Sequence, residues 1–175
     1  WWNQLFFQHL HVMCRDWDTI RTADKPSVKV ELIDIPFTQN IGFGGQDGFN
    51  SFVLALLDFE MNCLTRLRQL INAGCIQHDD VLLFLDATTP GLVASFMQSY
   101  KPCRMMGFCH GTAFNTLDIW MHNKARRDFD LATLKLFDLV FVASDYHARK
   151  LLDAGVSPAS LVVTGYLPEN PMLSR

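Results

Sequence analysis

A histidine, a glycine and a threonine directly follow one short apolar run, and they are the sharpest local signal for chemistry in the chain. The run Arg104–Cys109 is typical of a buried strand, and His110-Gly111-Thr112 comes next. A histidine at a strand's end can point into a cleft, while nearby backbone N–H groups stay free to meet an anion. The alternative is a histidine bonded to a neighbouring carbonyl beside a glycine that the turn requires. The residues alone leave both interpretations open.

Two other apolar runs also end in polar side chains. Val81–Leu85 is followed by Asp86, and Leu139–Ala143 is followed by Ser144 and Tyr146. Open parallel sheets bind their ligands beyond the carboxyl ends of the strands. We therefore expect these polar side chains to share one edge of a sheet with His110, although a purely structural sheet also needs turns there.

A glycine-rich segment at residues 41–50, IGFGGQDGFN, is predicted to be a loop. Gly44 and Gly45 within it are candidates for cradling a phosphate or a sugar. The segment is not a Walker loop because no G-K-[ST] follows, and it lacks the G-x-G-x-x-G spacing of dinucleotide-binding turns. A flexible surface loop is an equally good interpretation.

Metal and thiol chemistry find little support in the residue spacing. Asp16-Trp17-Asp18 and Asp128-Phe129-Asp130 are D-x-D triplets, but both are expected at helix margins, where carboxylates are solvated. Cys109-His110 together with Cys103 fits no four-ligand zinc framework. Cys109 as a nucleophile lacks a visible activating group. We therefore predict no metal site.

The C-terminal part of the chain has the clearest secondary-structure pattern. The run Leu139–Ala143 predicts a strand, and Ser144 is suited to capping the helix that follows. Gly155 is placed where a helix ends in a left-handed residue. Leu161–Val163 then predicts a second buried strand, so this segment is a βαβ unit.

Short apolar strands and helices alternate along the rest of the chain. This order predicts an α/β fold, a three-layer Rossmann-like domain whose mostly parallel sheet is covered on both faces. The other predicted elements are helices over 2–17, 51–73, 89–100 and 115–137, the last with a possible break at 128–130, and strands over 28–35, 81–85 and 104–109.

Length and composition bound the class of protein. The chain has 175 residues, of which 49% are hydrophobic and 19% charged, so we expect one folded domain over residues 1–175. A formal net charge of -3 argues against a nucleic-acid partner. The five cysteines form no C-x-x-C pair, which favours a reducing, cytoplasmic location. No run of 18 apolar residues occurs, so we expect no membrane span.

The segment Phe137–Pro168 resembles the last βαβ unit in the N-terminal domain of GT-B glycosyltransferases, and in particular those of family 4. FCHGT, VASDYH and LFLDATTPG are similar to three strand ends of that domain. The resemblance covers residues 79–168 and implies the acceptor-side half of a two-domain enzyme. In such enzymes a similar C-terminal domain binds most of the nucleotide-sugar. The resemblance also implies an upstream first strand and a donor domain after Arg175, and without that donor domain we expect residues 1–175 alone to be inactive.

The resemblance implies a role for each candidate residue. His110 would bond or position the transferred sugar, and Asp86 would bond an acceptor hydroxyl. The predicted partners are a nucleotide-sugar donor and a hydroxyl acceptor, with no further cofactor. The other predicted substrate contacts are Gly44, Gly45, Gly111, Thr112, Ser144 and Tyr146.

Two other functions fit the same pattern. A nucleotide-sugar 2-epimerase uses a related two-domain fold and would release nucleotide without an acceptor. A non-catalytic, flavodoxin-like binding domain would need no partner domain and should contain a complete sheet.

Overall fold

The computed structural model describes residues 33, 45–87, 91–100, 103–116, 118 and 120–165. All of these except Ile33 belong to one compact unit, Ile35–Tyr166. Gly44 and the helix predicted over 2–17 lie outside the described residues. So does the strand predicted over 28–35 apart from Ile33, which is not in a strand.

The centre of the described unit is a four-stranded sheet in which all strands are parallel and follow one another in chain order. Phe84 pairs with Gly107, which pairs in turn with Val140. Each connection between strands therefore leads to the next position in the sheet, always on the same side of the preceding strand. The strands are β1 (Val81–Phe84), β2 (Arg104–Cys109), β3 (Leu139–Val142) and β4 (Leu161–Val163).

Helices flank this sheet, which confirms the predicted α/β class and is consistent with a Rossmann-like three-layer fold. One long helix precedes β1, one helix lies in each crossover, and a short 3-10 turn at Pro158–Ser160 leads into β4. The helices are α1 (Gly45–Asn72), α2 (Gly91–Tyr100), α3 (Lys124–Leu134) and α4 (Asp145–Asp153). In the part of the chain that the structure describes, none of these helices is long and apolar enough to cross a membrane.

Two predicted boundaries were wrong. The segment 45–50 is the first part of α1, so the glycine-rich loop does not extend to Asn50. Glycine disfavours helix weakly, and the context of a 28-residue helix outweighs that preference. Residues 115, 116, 118 and 120–123 are in turns or irregular structure instead of helix, whereas α3 runs unbroken through 128–130. Its continuity has a local cause, because Lys124–Asp128 and Arg126–Asp130 are both ion pairs one helical turn apart.

The helix termini follow the predicted chemistry. The Ser144 side-chain oxygen accepts a hydrogen bond of 3.3 Å from the backbone N–H of His147 and so caps α4. Gly155 ends the same helix at a φ of 95°, and Gly74 follows α1 at a φ of 67°. A side chain would strain the backbone at both glycines.

One face of the sheet forms the core with the helices. Met105, Cys109, Val140 and Val142 alternate along β2 and β3 and are all at most 2% exposed. Gly107 lies among them because no side chain fits there. A Cβ atom at Gly107 would lie only 2.8 Å from the Ala87 Cβ atom. The segment after β1 is therefore packed directly onto the backbone of β2.

Candidate functional site

The polar residues predicted from the strand ends lie along one edge of the sheet. Asp86 follows β1, His110 follows β2, and Ser144 follows β3. Because neighbouring strands are parallel and Cys109 pairs with Val142, these segments leave the sheet at the same carboxyl edge. Tyr146 lies in the first turn of α4 at this edge, and half of its side chain is exposed. Gly45 is the first residue of α1, and its relation to this edge stays a prediction.

His110 is fixed to this edge by a single hydrogen bond. Its Nε2 atom lies 2.6 Å from the backbone carbonyl oxygen of Leu85, at the end of β1. A carbonyl oxygen can only accept, so Nε2 carries the proton and the Nδ1 atom of the neutral ring is an acceptor. The ring is exposed and stacks on Phe108, with centroids 6.3 Å apart. His110 thus presents an acceptor nitrogen to solvent at the rim of the sheet.

This arrangement combines the two interpretations that the sequence left open. His110 does bond a nearby carbonyl, as the structural interpretation required. The same bond selects the tautomer and holds the ring, which leaves Nδ1 to a ligand. A carbonyl bond and a ligand-binding role are therefore compatible at this position.

A second histidine, which the sequence analysis missed, lies beside the strand end. The Nε2 atom of His147 is 3.7 Å from the Sγ atom of Cys109, and both side chains are at most 6% exposed. Burial raises the pKa of the Cys109 thiol far above its ordinary range, with smaller contributions from Asp86 and Asp130. Burial also lowers the pKa of His147, and a proton on the nearby His110 would lower it further. Both shifts favour a neutral thiol beside a neutral imidazole.

The contact between Cys109 and His147 therefore resembles a catalytic pair only in composition. A thiolate is the nucleophilic form of cysteine, and a buried neutral thiol is inert. The signal that could have located His147 is the Ser144-x-x-His spacing, because a cap bonds the N–H group three residues on and turns that side chain toward the strand end.

The loop after β2 folds back onto α3 through a buried carboxylate. Asp130 is 1% exposed, and its Oδ2 atom accepts a 2.9 Å hydrogen bond from the backbone N–H of Ala113. Its Oδ1 atom lies 2.7 Å from the Arg126 Nε atom. Burial raises the pKa of Asp130, and the Ala113 N–H and Arg126 oppose that effect. The guanidinium of Arg127 also lies over the Phe114 ring, 5.0 Å from its centroid.

Gly111 and Thr112 occupy the start of this loop. A Cβ atom at Gly111 would meet only ordinary contacts, with the Asp118 Oδ2 atom at 3.6 Å and the Asn115 Nδ2 atom at 3.8 Å. Thr112 is 2% exposed, and its hydroxyl makes no hydrogen bond with the described residues. The structure therefore brings Gly111 and Thr112 together with His110 at the carboxyl edge.

Metal binding finds no support in the described residues, where no three His, Cys, Asp or Glu side chains are grouped to hold an ion. The aspartates at 128 and 130 are each paired with a basic side chain of α3. A groove of about 510 Å³ lies between α4 and β4, with Asp145, Leu152 and Val163 among its lining residues. His110 and Asp86 do not line it.

No protein-family model matches the chain, and the search of curated proteins gives no match either.

Proposed function

We propose that this chain is the acceptor-side domain of a GT-B-type glycosyltransferase, which transfers a sugar from a nucleotide-sugar donor to an acceptor hydroxyl. Three observations support the proposal together. The sheet is parallel and its strands advance in one direction. The polar residues follow the strands at the carboxyl edge, where such sheets bind ligands. The strand-end segments resemble those of glycosyltransferase family 4.

The main support for the proposal is the hydrogen bonding of the two nitrogen atoms of the His110 ring. Its Nε2–H group is committed to the Leu85 carbonyl, and the Nδ1 atom of this exposed residue makes no hydrogen bond with the described residues. Such a nitrogen accepts a hydrogen bond from a hydroxyl group and has nothing to offer a phosphate oxygen. A sugar hydroxyl is therefore the matching ligand group at this position.

The neighbouring residues would divide the remaining tasks. Glycosyl transfer passes through an oxocarbenium-like state while negative charge builds on the departing diphosphate. Backbone N–H groups at the start of α1, where Gly45 lies, could stabilise that charge without a metal. Asp86, half-buried beside β2, would bond an acceptor hydroxyl. Ser144 uses its oxygen as a helix cap, so its hydroxyl proton can be donated to a ligand.

A second, donor-binding domain belongs to this proposal. In enzymes of this type, most nucleotide contacts come from a C-terminal domain, and the reaction occurs between the two halves. The proposed role of the present chain is to hold the acceptor and to place His110 and Asp86 against the transferred sugar.

The test is a transfer assay on the intact protein with panels of UDP-, GDP- and ADP-sugars, with and without hydroxyl acceptors. His110→Ala is compared with His78→Ala, whose side chain is 92% exposed just before β1, at the opposite edge of the sheet. Loss of a hydrogen bond to a reacting substrate is worth about 1–3 kcal/mol, so we expect roughly a 10- to 100-fold fall in kcat/KM for His110→Ala. The His78 variant should match the wild type.

Three outcomes would contradict the proposal. His110→Ala could keep full transfer activity, the intact protein could transfer no sugar at all, or nucleotide could be released equally well without any acceptor. The last result would identify the epimerase alternative instead.

A further inference from the structure

Two polar atoms in the loop after β2 are buried and have no hydrogen-bond partner among the described residues: the Thr112 Oγ1 atom and the Asn115 Oδ1 atom. Buried polar atoms are almost always bonded, because leaving one unpaired costs about 1–3 kcal/mol. Two such atoms three residues apart therefore call for a physical explanation. We infer that a group of a bound ligand supplies the missing hydrogen-bond partners.

The turn that carries these atoms cannot readily shift to satisfy them. The Asn115 backbone N–H donates to the Thr112 carbonyl oxygen at 2.9 Å, which closes the turn. Ala113, between them, donates its own N–H to the buried carboxylate of Asp130. The next residues are tied in the same way, since the Asp118 N–H donates to the Asn115 carbonyl oxygen at 3.2 Å. The backbone at Thr112, Ala113 and Asn115 is thus held while two side-chain oxygens stay unpaired; we name residues 112–116 the Thr112 turn.

The chemistry of the two atoms defines the missing group. An amide oxygen can only accept, so Asn115 Oδ1 needs a donor, whereas the Thr112 hydroxyl can donate or accept. A hydroxyl group offers both functions, while a phosphate at neutral pH offers acceptors alone. The unpaired atoms therefore suit a ligand hydroxyl.

The local charge points the same way. Asp118 lies near the open side of Gly111, and its charge also acts on the buried Asp130. The guanidinium of Arg126 is already held by Asp130 at 2.7 Å. The guanidinium of Arg127 lies over the Phe114 ring, 5.0 Å from its centroid. The charge of Asp130 is already balanced by Arg126, but an anion entering here would still meet the charge of Asp118. A neutral ligand would avoid that repulsion.

We propose that the Thr112 turn is a subsite for a neutral, hydroxyl-bearing part of the acceptor, next to His110 and separate from wherever the donor diphosphate binds. This inference rests on the proposed function and specifies its acceptor as uncharged at the group that enters the turn. Gly111 leaves room beside these side chains for about one carbon atom, because an added Cβ atom there would make only ordinary contacts. The entering hydroxyl bonds Thr112 Oγ1 and Asn115 Oδ1 as the Asn115 side chain moves aside.

The first test requires no ligand. Thr112→Val keeps the shape and removes the hydroxyl, so an unbonded hydroxyl predicts a melting temperature equal to or above that of the wild type. Thr164→Val is the matched control at the same edge, because the Thr164 hydroxyl donates to the Val142 carbonyl oxygen at 3.3 Å. That control should melt slightly lower. A fall of about 2–4 °C or more in Thr112→Val would show that its hydroxyl is bonded, for example to a buried water, and would overturn the inference.

The second test uses stated probes on the 175-residue chain. The methyl glycosides of glucose, galactose and mannose and, separately, inorganic phosphate are titrated while the backbone amide signals are followed by NMR. At least one glycoside should shift the Ala113 and Asn115 amides, and Thr112→Val should weaken that binding about tenfold, as loss of one hydrogen bond implies. Phosphate should leave these two signals unchanged.

The opposite results are equally informative. Shifts of the two amides by phosphate, no shift with any glycoside, or unchanged glycoside binding by Thr112→Val would each overturn the inference. Its failure is distinguishable from that of the proposed function. If only the inference fails, His110→Ala still lowers kcat/KM for transfer roughly 10- to 100-fold in the intact protein. If only the function fails, glycosides bind at the turn but no sugar is transferred.

Discussion

The thiol of Cys109 contacts the imidazole of His147 across 3.7 Å and so joins the last residue of β2 to the first turn of α4. Both side chains are buried directly behind the edge that carries His110 and Ser144. The contact stabilises the position of the strand end relative to the helix start. The residues that we propose to bind substrate therefore lie on a packed support.

Cys109 should not react with thiol reagents in the folded protein. It is 2% exposed, and burial raises the pKa of its thiol, so neither access nor thiolate is available. Cys75 is exposed and serves as the internal control. Brief treatment with iodoacetamide followed by mass spectrometry should find Cys75 labelled and Cys109 unlabelled, and both should be labelled in denaturant. Labelling of Cys109 at the rate of Cys75 would contradict this description of the strand end.

Stability should fall as the solution becomes acidic, partly because of His147. Burial lowers the pKa of this ring in the folded state, while in the unfolded chain it returns to about 6.5. The unfolded state then binds more protons below pH 6.5, so the contribution of neutral His147 is complete above that pH and is lost below it. Cys109, His110 and Asp86 are the titratable groups at this strand end.

Urea denaturation between about pH 5 and 8 measures this effect. His147→Gln should flatten the loss of unfolding free energy on the acid side, and His78→Gln, at an exposed position, should follow the wild type. Equal slopes for wild type and His147→Gln would refute the assignment.

Gly107 and Gly111 lie close together in the chain, but substitution by alanine should affect stability very differently at the two positions. At Gly107 a Cβ atom would lie 2.8 Å from the Ala87 Cβ atom and 3.0 Å from the Phe137 ring. Overpacking of this kind costs about 1–3 kcal/mol. At Gly111 the nearest atoms would be 3.6 Å away, so Gly111→Ala should change the unfolding free energy little. Urea unfolding of both variants checks the contrast, which comparable losses would disprove.

Removing the Asp130 carboxylate should destabilise the protein strongly. Asp130→Ala leaves Arg126 and the Ala113 N–H without their buried partner, and breaking such a pair costs about 3–5 kcal/mol. Asp128→Ala on the same helix removes only an exposed pair with Lys124, which is worth about 0.3–0.5 kcal/mol. The unfolding free energies of the two variants give the comparison. A loss for Asp130→Ala as small as that for Asp128→Ala would show that the carboxylate does not hold the loop.

Local patterns predicted the sheet and its helix caps well because the signals for them are short-range. The apolar runs that became β2 and β4 have the predicted bounds, and Ser144 and Gly155 cap α4 as expected. The start of α1 was missed because the glycine-rich segment suggested a loop, whereas long-helix context decides the conformation of Gly45 and Gly48. The sequence left a break in α3 at 128–130 open, because the two ion pairs that span it form only once the helix exists.

The candidate site was predicted in outline and missed in its contacts. Position after a strand was enough to place Asp86, His110 and Ser144 on one edge. The contacts of His110 with the Leu85 carbonyl and of Cys109 with His147 join residues 25 and 38 positions apart. Such pairings depend on strand order and register, which a single sequence does not specify. The same holds for the hydrogen bond between Ala113 and Asp130.

The central claim is that His110 presents an unprotonated Nδ1 atom to a substrate hydroxyl, and the ring's own nitrogen signals test it most directly. A long-range proton–nitrogen NMR spectrum of the labelled protein, recorded in mildly alkaline buffer, distinguishes the two imidazole tautomers. The hydrogen bond to the Leu85 carbonyl predicts that Nε2 is protonated and Nδ1 is not. A spectrum showing the proton on Nδ1 would contradict the account, because that nitrogen could then no longer accept a hydrogen bond from a sugar.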